Sequence, residues 1–238
     1  MSVEKHEPPA ADPGEAGDDN GTDKPAPRPG PPRRIRLIGR TLTGLVSHMP
    51  FLWPLLRRPM RSYFDERADG WDERTDAPGP SHLAPLAVAV TKIDRHPERA
   101  LDLGTGTGVA ALFVAREFPR ASVRGCDISE EMIRRATAKV GLDPEGRVAF
   151  KVADAADLPW PDEHFDLVTQ LNMPAFFGET ARVLRHGGHV IVAASSGERT
   201  PFYTPDSVLE RGFRRHGFVT VTGGRIGSGT YYVARKGE

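Results

Sequence analysis

Cysteine is nearly absent from this 238-residue sequence: Cys126 is its single thiol, which excludes an internal disulfide. Long apolar runs are missing too, because no stretch approaches the ~20 apolar residues that a membrane-spanning helix needs. Neither sign of charge is in excess, since 32 Lys and Arg balance 32 Asp and Glu. These absences argue against a secreted disulfide scaffold, a membrane-spanning protein and a uniformly basic nucleic-acid-binding protein. The N-terminus shows no basic and apolar signal segment, so we expect a cytoplasmic protein.

Three common kinds of site pattern are also missing. No G-x-x-x-x-G-K-[ST] run is present, which argues against a P-loop for phosphate. The eight histidines are scattered and the cysteine is alone, so we predict no metal site. No Ser–His or His–Asp pairing identifies a nucleophile with its base.

What the sequence does contain is a glycine-rich turn between a strand and a helix. Residues 99–103 are typical of a short buried strand, and residues 109–117 have helical periodicity. Three alternating glycines lie between them: Gly104, Gly106 and Gly108. Glycines let a ligand lie directly against the backbone, where the N–H groups at a helix start favour it. The spacing differs from the G-x-G-x-x-G of dinucleotide sites, and the preceding Asp102 disfavours a pyrophosphate but suits a ligand with an amino group.

Two more carboxylates end the next two predicted strands. Asp127 ends the strand at 121–128, about 20 residues past the glycines, where a carboxylate can accept hydrogen bonds from both ribose hydroxyls. Ser129 is a predicted N-cap of the helix that follows. Asp154 ends the strand predicted from residue 148. The pattern therefore predicts a nucleoside site at the carboxyl ends of these strands.

These segments resemble the class I S-adenosylmethionine-dependent methyltransferases, in the small-molecule branch that includes ubiquinone/menaquinone-biosynthesis enzymes. Residues 127–136 are similar to the family's D-x-S-x-x-M-[LI]-x-x-A, and residues 63–72 to its F-D-x-x-A-x-x-[YW]-D. Residues 158–169 resemble L-P-[FW]-x-D-x-x-F-D-L-V, and residues 181–192 resemble E-x-x-R-V-L-x-P-G-G. In the last segment His186 replaces the usual proline, a change that affects the turn and not the chemistry.

The resemblance implies S-adenosyl-L-methionine as the cofactor. It implies that Asp154 reads the adenine amino group, that Ile128 and Met132 press on the adenine, and that an aromatic ring lies near the methionine end. The complete set of predicted cofactor-binding residues is Tyr63, Trp71, Asp102, Gly104, Thr105, Gly106, Gly108, Asp127, Ile128, Met132, Asp154, Ala155, Gln170 and Asn172.

The predicted fold class is α/β: a Rossmann-like, doubly wound, seven-stranded and mostly parallel sheet with an antiparallel last strand. A disordered tail and a helical arm precede it. Near the C-terminus we expect a helix from Pro174 to Leu184 with Gly187 as its C-cap. Glycine turns are expected at 223–224 and 227–229, between the last two strands.

Three regions are predicted. Residues 1–32 form a disordered tail rich in Pro, Gly and acidic residues. Residues 33–80 form a basic and apolar arm that acts as a cleft lid, and residues 81–238 form the S-adenosylmethionine-binding methyltransferase domain. Two interpretations of residues 33–60 stay open: an arm that packs on the domain, or an amphipathic element with weak contact to a membrane surface.

The implied reaction is in-line methyl transfer to a small-molecule acceptor, with no nucleic-acid partner expected. Apolar residues around the predicted cleft suggest a hydrophobic acceptor: Phe51, Trp53, Met173, Phe176 and Phe177. A base is needed only if the accepting atom carries a proton. The sequence identifies no base, and the residues considered are His48, Tyr63, His82 and Asn172. The alternatives are a nicotinamide-dependent Rossmann oxidoreductase and a non-catalytic S-adenosylmethionine-binding module.

Overall fold

The computed structural model describes residues 33–75, 77, 79–143 and 145–237, without the side chains of His48 and Pro50. The predicted tail at 1–32 lies outside the described residues. The helices are α1 (Arg33–His48), α2 (Trp53–Asp65), α3 (Trp71–Thr75), α4 (Pro80–Val90), α5 (Val109–Glu117), α6 (Glu130–Ala138), α7 (Phe177–Val183) and α8 (Asp206–Arg214). The strands are β1 (Arg99–Leu103), β2 (Ser122–Asp127), β3 (Val148–Val152), β4 (Phe165–Leu171), β5 (Leu184–Ala194), β6 (Phe218–Ile226) and β7 (Gly229–Lys236). None of the described helices is both long and apolar enough to cross a bilayer.

The seven strands of the described residues form one sheet in the order β3-β2-β1-β4-β5-β7-β6. The pairs from β3 to β5 are all parallel, and β7 runs antiparallel to both of its neighbours. The predicted fold class is therefore confirmed, including the antiparallel last strand. The order reverses at β1, so the loops after β1 and β4 open on the crevice where ligands bind in such sheets.

Side chains alternate between two apolar layers along each central strand. Leu101 and Leu103 of β1 pack in the layer that also contains Trp53, while Ala100 packs in the layer with Leu86 of α4. Because side chains alternate between the two faces, each face of the parallel sheet is apolar and is covered by helices. Strand β4 is therefore buried along almost its whole length.

One buried carboxylate connects the starts of two central strands. The Oδ2 atom of Asp166 in β4 accepts hydrogen bonds from the backbone N–H groups of Glu98 and Arg99, both at 2.8 Å. These bonds satisfy donors at the entry to β1 that have no strand partner there. Asp166 is thus a structural residue far from the carboxyl ends of the strands.

Three expectations about the C-terminal half were wrong. Helix α7 begins at Phe177 and not at Pro174, because the preceding residues bury Met173, Ala175 and Phe176 in an irregular segment. Gly187 is not a helix C-cap: α7 ends at Val183, and Gly187 lies within β5 with φ +72° at an irregularity in the pairing with β4.

The last hairpin also differs from the prediction. Gly223 and Gly224 do not form a turn but lie inside β6, paired with Tyr232 and Tyr231 of β7. The chain reverses only after Ile226, where Gly227 has φ +56°. Backbone pairing with a full-length neighbour outweighs the weak strand preference of two glycines.

Asp102, at the end of β1, lies beneath the glycine loop and not at its surface. Only 1% of the residue is exposed, and its two oxygens accept hydrogen bonds from the hydroxyls of Thr105 and Thr169, each at 2.7 Å. Burial raises the pKa of Asp102 to about 6, against the lowering effect of the two hydroxyls. The carboxylate therefore fixes the loop to β4, at an electrostatic cost.

This cost predicts a pH dependence of stability. Because the folded protein binds the Asp102 proton more tightly than the unfolded chain, the contribution of Asp102 is most favourable at low pH and is lost as the pH rises towards 6. We expect the free energy of unfolding of the wild type to fall relative to Asp102→Asn by about 2 kcal/mol between about pH 4.5 and about pH 7.5. Urea titrations of both proteins over this range measure the difference.

The exposed Asp157→Asn variant is the control, and its difference from the wild type should stay within about 0.5 kcal/mol throughout. A difference between wild type and Asp102→Asn that does not change with pH would contradict the assignment.

Candidate active site

The glycine loop presents open backbone at its centre. Gly106 has φ +52°, and a Cβ built on it would meet no atom within 4 Å. Gly108 is the N-cap of α5 with φ +84°, and a Cβ there would lie 2.8 Å from the ring of Phe150. Gly108 is thus required by packing, while Gly106 leaves room for a ligand against its backbone. On the other side of the loop, the Met173 sulfur would lie 2.7 Å from a Cβ on Gly104.

Asp127 connects this loop with the start of α6. Its Oδ2 accepts the backbone N–H of Gly106 and its Oδ1 that of Ser129, both at 2.9 Å. Burial raises the pKa of Asp127, and these two backbone N–H groups oppose that shift. The side chain of Ser129 caps α6 by accepting the N–H of Met132 at 3.1 Å, which confirms the predicted N-cap. A carboxylate has about four acceptor positions, so Asp127 retains capacity for a ligand's hydroxyl groups.

Asp154 follows β3, the neighbour of β2, and is held by the arm. The indole Nε1 of Trp53 donates to Asp154 Oδ1 at 2.7 Å, and the Arg57 guanidinium lies 3.8 Å from Oδ2. The N–H of Ala156 also donates to Oδ1, at 2.9 Å. Trp53 in turn packs edge-on against Phe176, with 5.1 Å between ring centroids. Oδ2 therefore remains the less occupied oxygen of this carboxylate.

The rest of α2 continues along the same edge of the sheet. Arg61 donates to the carbonyl oxygen of Ile128 at 3.1 Å, and Asp65 accepts a hydrogen bond from the hydroxyl of Ser129. In α3, Asp72 binds the hydroxyl of Thr107 in the glycine loop. The arm therefore contacts the structure around each of the three predicted ligand-binding positions: the loop, the end of β2 and the end of β3.

Both predicted aromatic residues lie in the arm. Trp71 is half-buried at the start of α3, edge-on to Phe64 with centroids 5.7 Å apart. The guanidinium carbon of Arg67 lies over the ring of Tyr63, 4.0 Å from the ring centroid. A cation thus already occupies the face of Tyr63.

Four predicted cofactor residues are buried away from the open surface. Asp102 and Thr105 bind each other, Met132 lies on the buried side of α6 and is 1% exposed, and Gln170 donates from its amide to the hydroxyl of Thr180 at 2.8 Å. These side chains support the site from behind. The sequence pattern places them near the loop, but only the fold decides which side of the backbone they occupy. Ala155 and Ile128 are half-buried at the surface of the site.

The structure singles out no base among the four residues considered. The Asn172 side chain, on a residue with φ +58°, donates to the Ser195 hydroxyl at 2.9 Å and accepts the Ser195 N–H at 2.8 Å. The Ser195 hydroxyl donates to the carbonyl oxygen of His82 at 2.7 Å. Asn172 thus ties β4 to β5 and α4. The side chain of His48 lies outside the described residues, and these contain no group of three His, Cys, Asp or Glu side chains that could hold a metal ion.

A small hollow that no sequence pattern predicted borders Met173. It lies between the ends of β5 and β7 and the segment before α8, and polar groups from Tyr203 and Asp206 line it. Burial raises the pKa of both side chains. No spacing in the sequence marks these residues; the one available signal is that they follow the carboxyl end of β5.

Comparison with known proteins agrees with this geometry. A family model described as a methyltransferase domain matches residues 100–188, which include the glycine loop, Asp127 and Asp154. The ubiquinone/menaquinone biosynthesis C-methyltransferase of Syntrophotalea carbinolica is 35% identical over 141 residues, which cover 56% of this chain and 57% of the relative. The 27-O-demethylrifamycin SV methyltransferase of Amycolatopsis mediterranei is 39% identical over 101 residues, covering 39% and 37%. The chain spans about half the length or less of the curated relatives it matches.

Solved structures agree on the fold. An Aquifex aeolicus protein described as a SAM-dependent methyltransferase superposes with a TM-score of 0.59 at 16% identity, over 70% of this chain and 97% of that one. At this identity the likeness concerns the fold alone. The matched methyltransferase domain and the strand order agree with the resemblance found in the sequence: residues 100–188 are similar to the methyltransferase domain of class I enzymes, within a sheet of the same kind.

Proposed function

We propose that this chain is an S-adenosylmethionine-dependent methyltransferase that transfers a methyl group in line to a small-molecule acceptor. The observation that carries the proposal is the position of Asp127, which joins the open backbone of Gly106 to the start of α6. A ligand that contains a ribose needs a carboxylate with free acceptor capacity and an uncovered glycine backbone. Here these two groups are joined by a single hydrogen bond.

The residues present fit such a cofactor. At Gly106 a Cβ would meet no protein atom within 4 Å, so backbone is available for close contact. Asp127 would hold the sugar, and Asp154 would accept the amino group of the base through its less occupied Oδ2. Helices α2 and α3 already contact all three positions and would exclude water from them.

The cofactor supplies a methyl group already activated by a sulfonium, with a neutral thioether as leaving group. The protein's main contribution is then alignment, and effective molarities of ~10⁵–10⁸ M correspond to roughly 7–11 kcal/mol of barrier. We place the acceptor beside Met173, Tyr203 and Asp206, where the hollow has a volume of about 10 Å³, enough for about one water molecule, and would have to widen to admit an acceptor. The mixed lining of the hollow suits a largely apolar acceptor with a polar group.

Nothing favours the nicotinamide alternative. The pattern G-x-G-x-G is not that of dinucleotide loops, and both relatives described above are named as methyltransferases. A non-catalytic module is likewise without a specific observation in its favour.

The open backbone of Gly106 predicts a matched pair of variants. Gly106→Ala should weaken S-adenosylmethionine binding at least about tenfold, because the methyl group would occupy space next to the ligand, and a tenfold change is about 1.4 kcal/mol. Gly141→Ala is the control: Gly141 also has a positive φ, +68°, with no atom within 4 Å of its Cβ position, but it lies in the loop after α6. Isothermal titration calorimetry measures both affinities.

The two variants should lose similar stability from the strained backbone, about 1–2 kcal/mol. Equal S-adenosylmethionine affinity in Gly106→Ala and Gly141→Ala would refute the proposed site, and tighter binding of NADH than of S-adenosylmethionine by the wild type would refute the proposed cofactor.

Asp154 predicts a preference for the adenine amino group. The wild type should bind S-adenosylhomocysteine more tightly than S-inosylhomocysteine, which lacks that amino group, by roughly 10- to 100-fold, because a hydrogen bond to a charged acceptor is worth about 1.5–3 kcal/mol. Asp154→Asn should reduce the ratio to within a few-fold, whereas Asp157→Asn, on the same loop but exposed, should preserve it. An unchanged ratio in Asp154→Asn would remove Asp154 from the base-binding site.

A further inference from the structure

The arm exposes an unusual amount of apolar surface. Six of the ten exposed large apolar side chains of the described residues lie between positions 35 and 55. Four of them are exposed by 60% to 74%, and we call these four the arm face: Leu37, Ile38, Phe51 and Leu55. Single exposed apolar residues are ordinary, but a concentration of them in about twenty residues marks a binding surface.

The arm cannot bury this face by rotating, because its opposite side is already packed. A Cβ on Gly39 would lie 2.4 Å from the carbonyl oxygen of Pro201, so α1 touches the domain at Gly39, with Thr43 and Val46 buried on the same side. Arg40 adds a hydrogen bond to the carbonyl oxygen of Glu198 at 2.7 Å. At 100° per residue, Leu37 and Ile38 lie on the outward side of α1.

Helix α2 has the same two-sided character. Trp53 is buried and holds Asp154, while Leu55 and Arg58 are exposed on turns that face away from it. Phe51, in the short turn between the two helices, is 73% exposed. The outward sides of both helices are therefore left without a partner in the described part of the chain.

The charge of the first part of the arm, residues 33–64, is of one sign. Residues 33–64 contain seven arginines and no Asp or Glu, although the whole chain is neutral. Within the described residues the arginines between positions 33 and 64 form two ion pairs, Arg57 with Asp154 at 3.8 Å and Arg61 with Glu130 at 3.9 Å. Arg33, Arg34 and Arg58 are exposed beside the arm face.

We propose that the arm face, together with Arg33, Arg34 and Arg58, docks on the surface of a bilayer that contains anionic lipids. Arginines near such a surface gain about 1 kcal/mol each, and apolar side chains insert among the acyl chains. The 16 residues of α1 span about 24 Å at 1.5 Å per residue and carry four arginines, so α1 lies in the plane of the surface and does not cross it.

Charge and composition favour this occupant over two others. A second copy of the chain, paired by a two-fold axis, would bring the arginines of the arm against one another. A nucleic acid would satisfy the arginines but would leave four large apolar side chains in water, whereas a lipid surface takes up both.

Co-sedimentation of the full chain with lipid vesicles tests the proposal. We compare vesicles of phosphatidylcholine alone with vesicles of phosphatidylcholine and phosphatidylglycerol, with and without added salt. We expect binding to the anionic vesicles, weakened by salt and by removal of phosphatidylglycerol. In Leu37→Ser/Ile38→Ser/Phe51→Ser/Leu55→Ser the partition coefficient should fall at least about tenfold, equivalent to 1.4 kcal/mol.

The chain offers a matched control for each kind of residue. Four exposed apolar residues outside the arm are replaced in Leu142→Ser/Val219→Ser/Val221→Ser/Ile226→Ser, which should bind within about twofold of the wild type. Arg33→Gln/Arg34→Gln/Arg58→Gln should also lose about tenfold, whereas Arg120→Gln/Arg211→Gln/Arg215→Gln, exposed elsewhere, should not. Because the arginine variants change no apolar contact, they test the proposal even if the apolar variant fails to fold.

Several outcomes would overturn the proposal. The proposal is wrong if the wild type does not bind anionic vesicles, or if the arm variants bind as well as their controls. It is also wrong if the protein binds duplex DNA and the apolar variant retains that binding. Light scattering that shows a dimer, lost in the apolar variant, would assign the arm face to a second copy. The vesicle experiment uses no S-adenosylmethionine, so this test and the tests of the proposed function can fail independently.

Discussion

The carboxylate of Asp127 is the point on which the architecture of the site depends. One oxygen holds the backbone of Gly106 and the other holds the first N–H of the turn into α6. Two segments that are distant in the chain are thereby placed on either side of one buried charge. Burial alone would drive this carboxyl group towards its neutral form, and the two backbone donors oppose that effect. The same two hydrogen bonds that stabilise the charge also hold the glycine loop and the start of α6 at a fixed distance from each other.

The arm completes this arrangement from outside the sheet. Through Trp53, Arg61 and Asp65 it binds Asp154, the carbonyl of Ile128 and the hydroxyl of Ser129 in succession. Each contact joins a side chain of α2 to a polar group at the end of β2 or β3, so that α2 lies along the carboxyl edge of the sheet. The inner side of a helix in this position is occupied by contacts with the site, and its outer side remains exposed and available for another partner. The exposed arm face is the consequence of that division.

Sequence reasoning reached the parts of the structure that depend on backbone geometry. The individual strands, the N-cap at Ser129 and the glycine loop follow from patterns that a strand, a cap or a turn requires locally, whereas the sheet with its antiparallel last strand was expected from the family resemblance. It failed where burial overrode a local preference, as at Pro174, where three apolar side chains keep the chain irregular until Phe177. It also could not tell that Asp102 and Gln170 face inward, because the direction of a side chain at a strand end depends on which neighbouring hydroxyls bind it.

The same distinction separates the two halves of the site. The proposed cofactor side would use glycine backbone, N–H groups and two carboxylates, all at positions fixed by the ends of strands. The proposed acceptor side, beside Met173, would be formed by side chains such as Tyr203 and Asp206, for which the sequence shows no required pattern. Such side chains can change without altering β1, β2 or the loop between β1 and α5. Under the proposed function, the residues at 100–188 would orient the methyl donor and residues outside them would select the acceptor, which is consistent with relatives named as a C-methyltransferase and as a 27-O-demethylrifamycin SV methyltransferase.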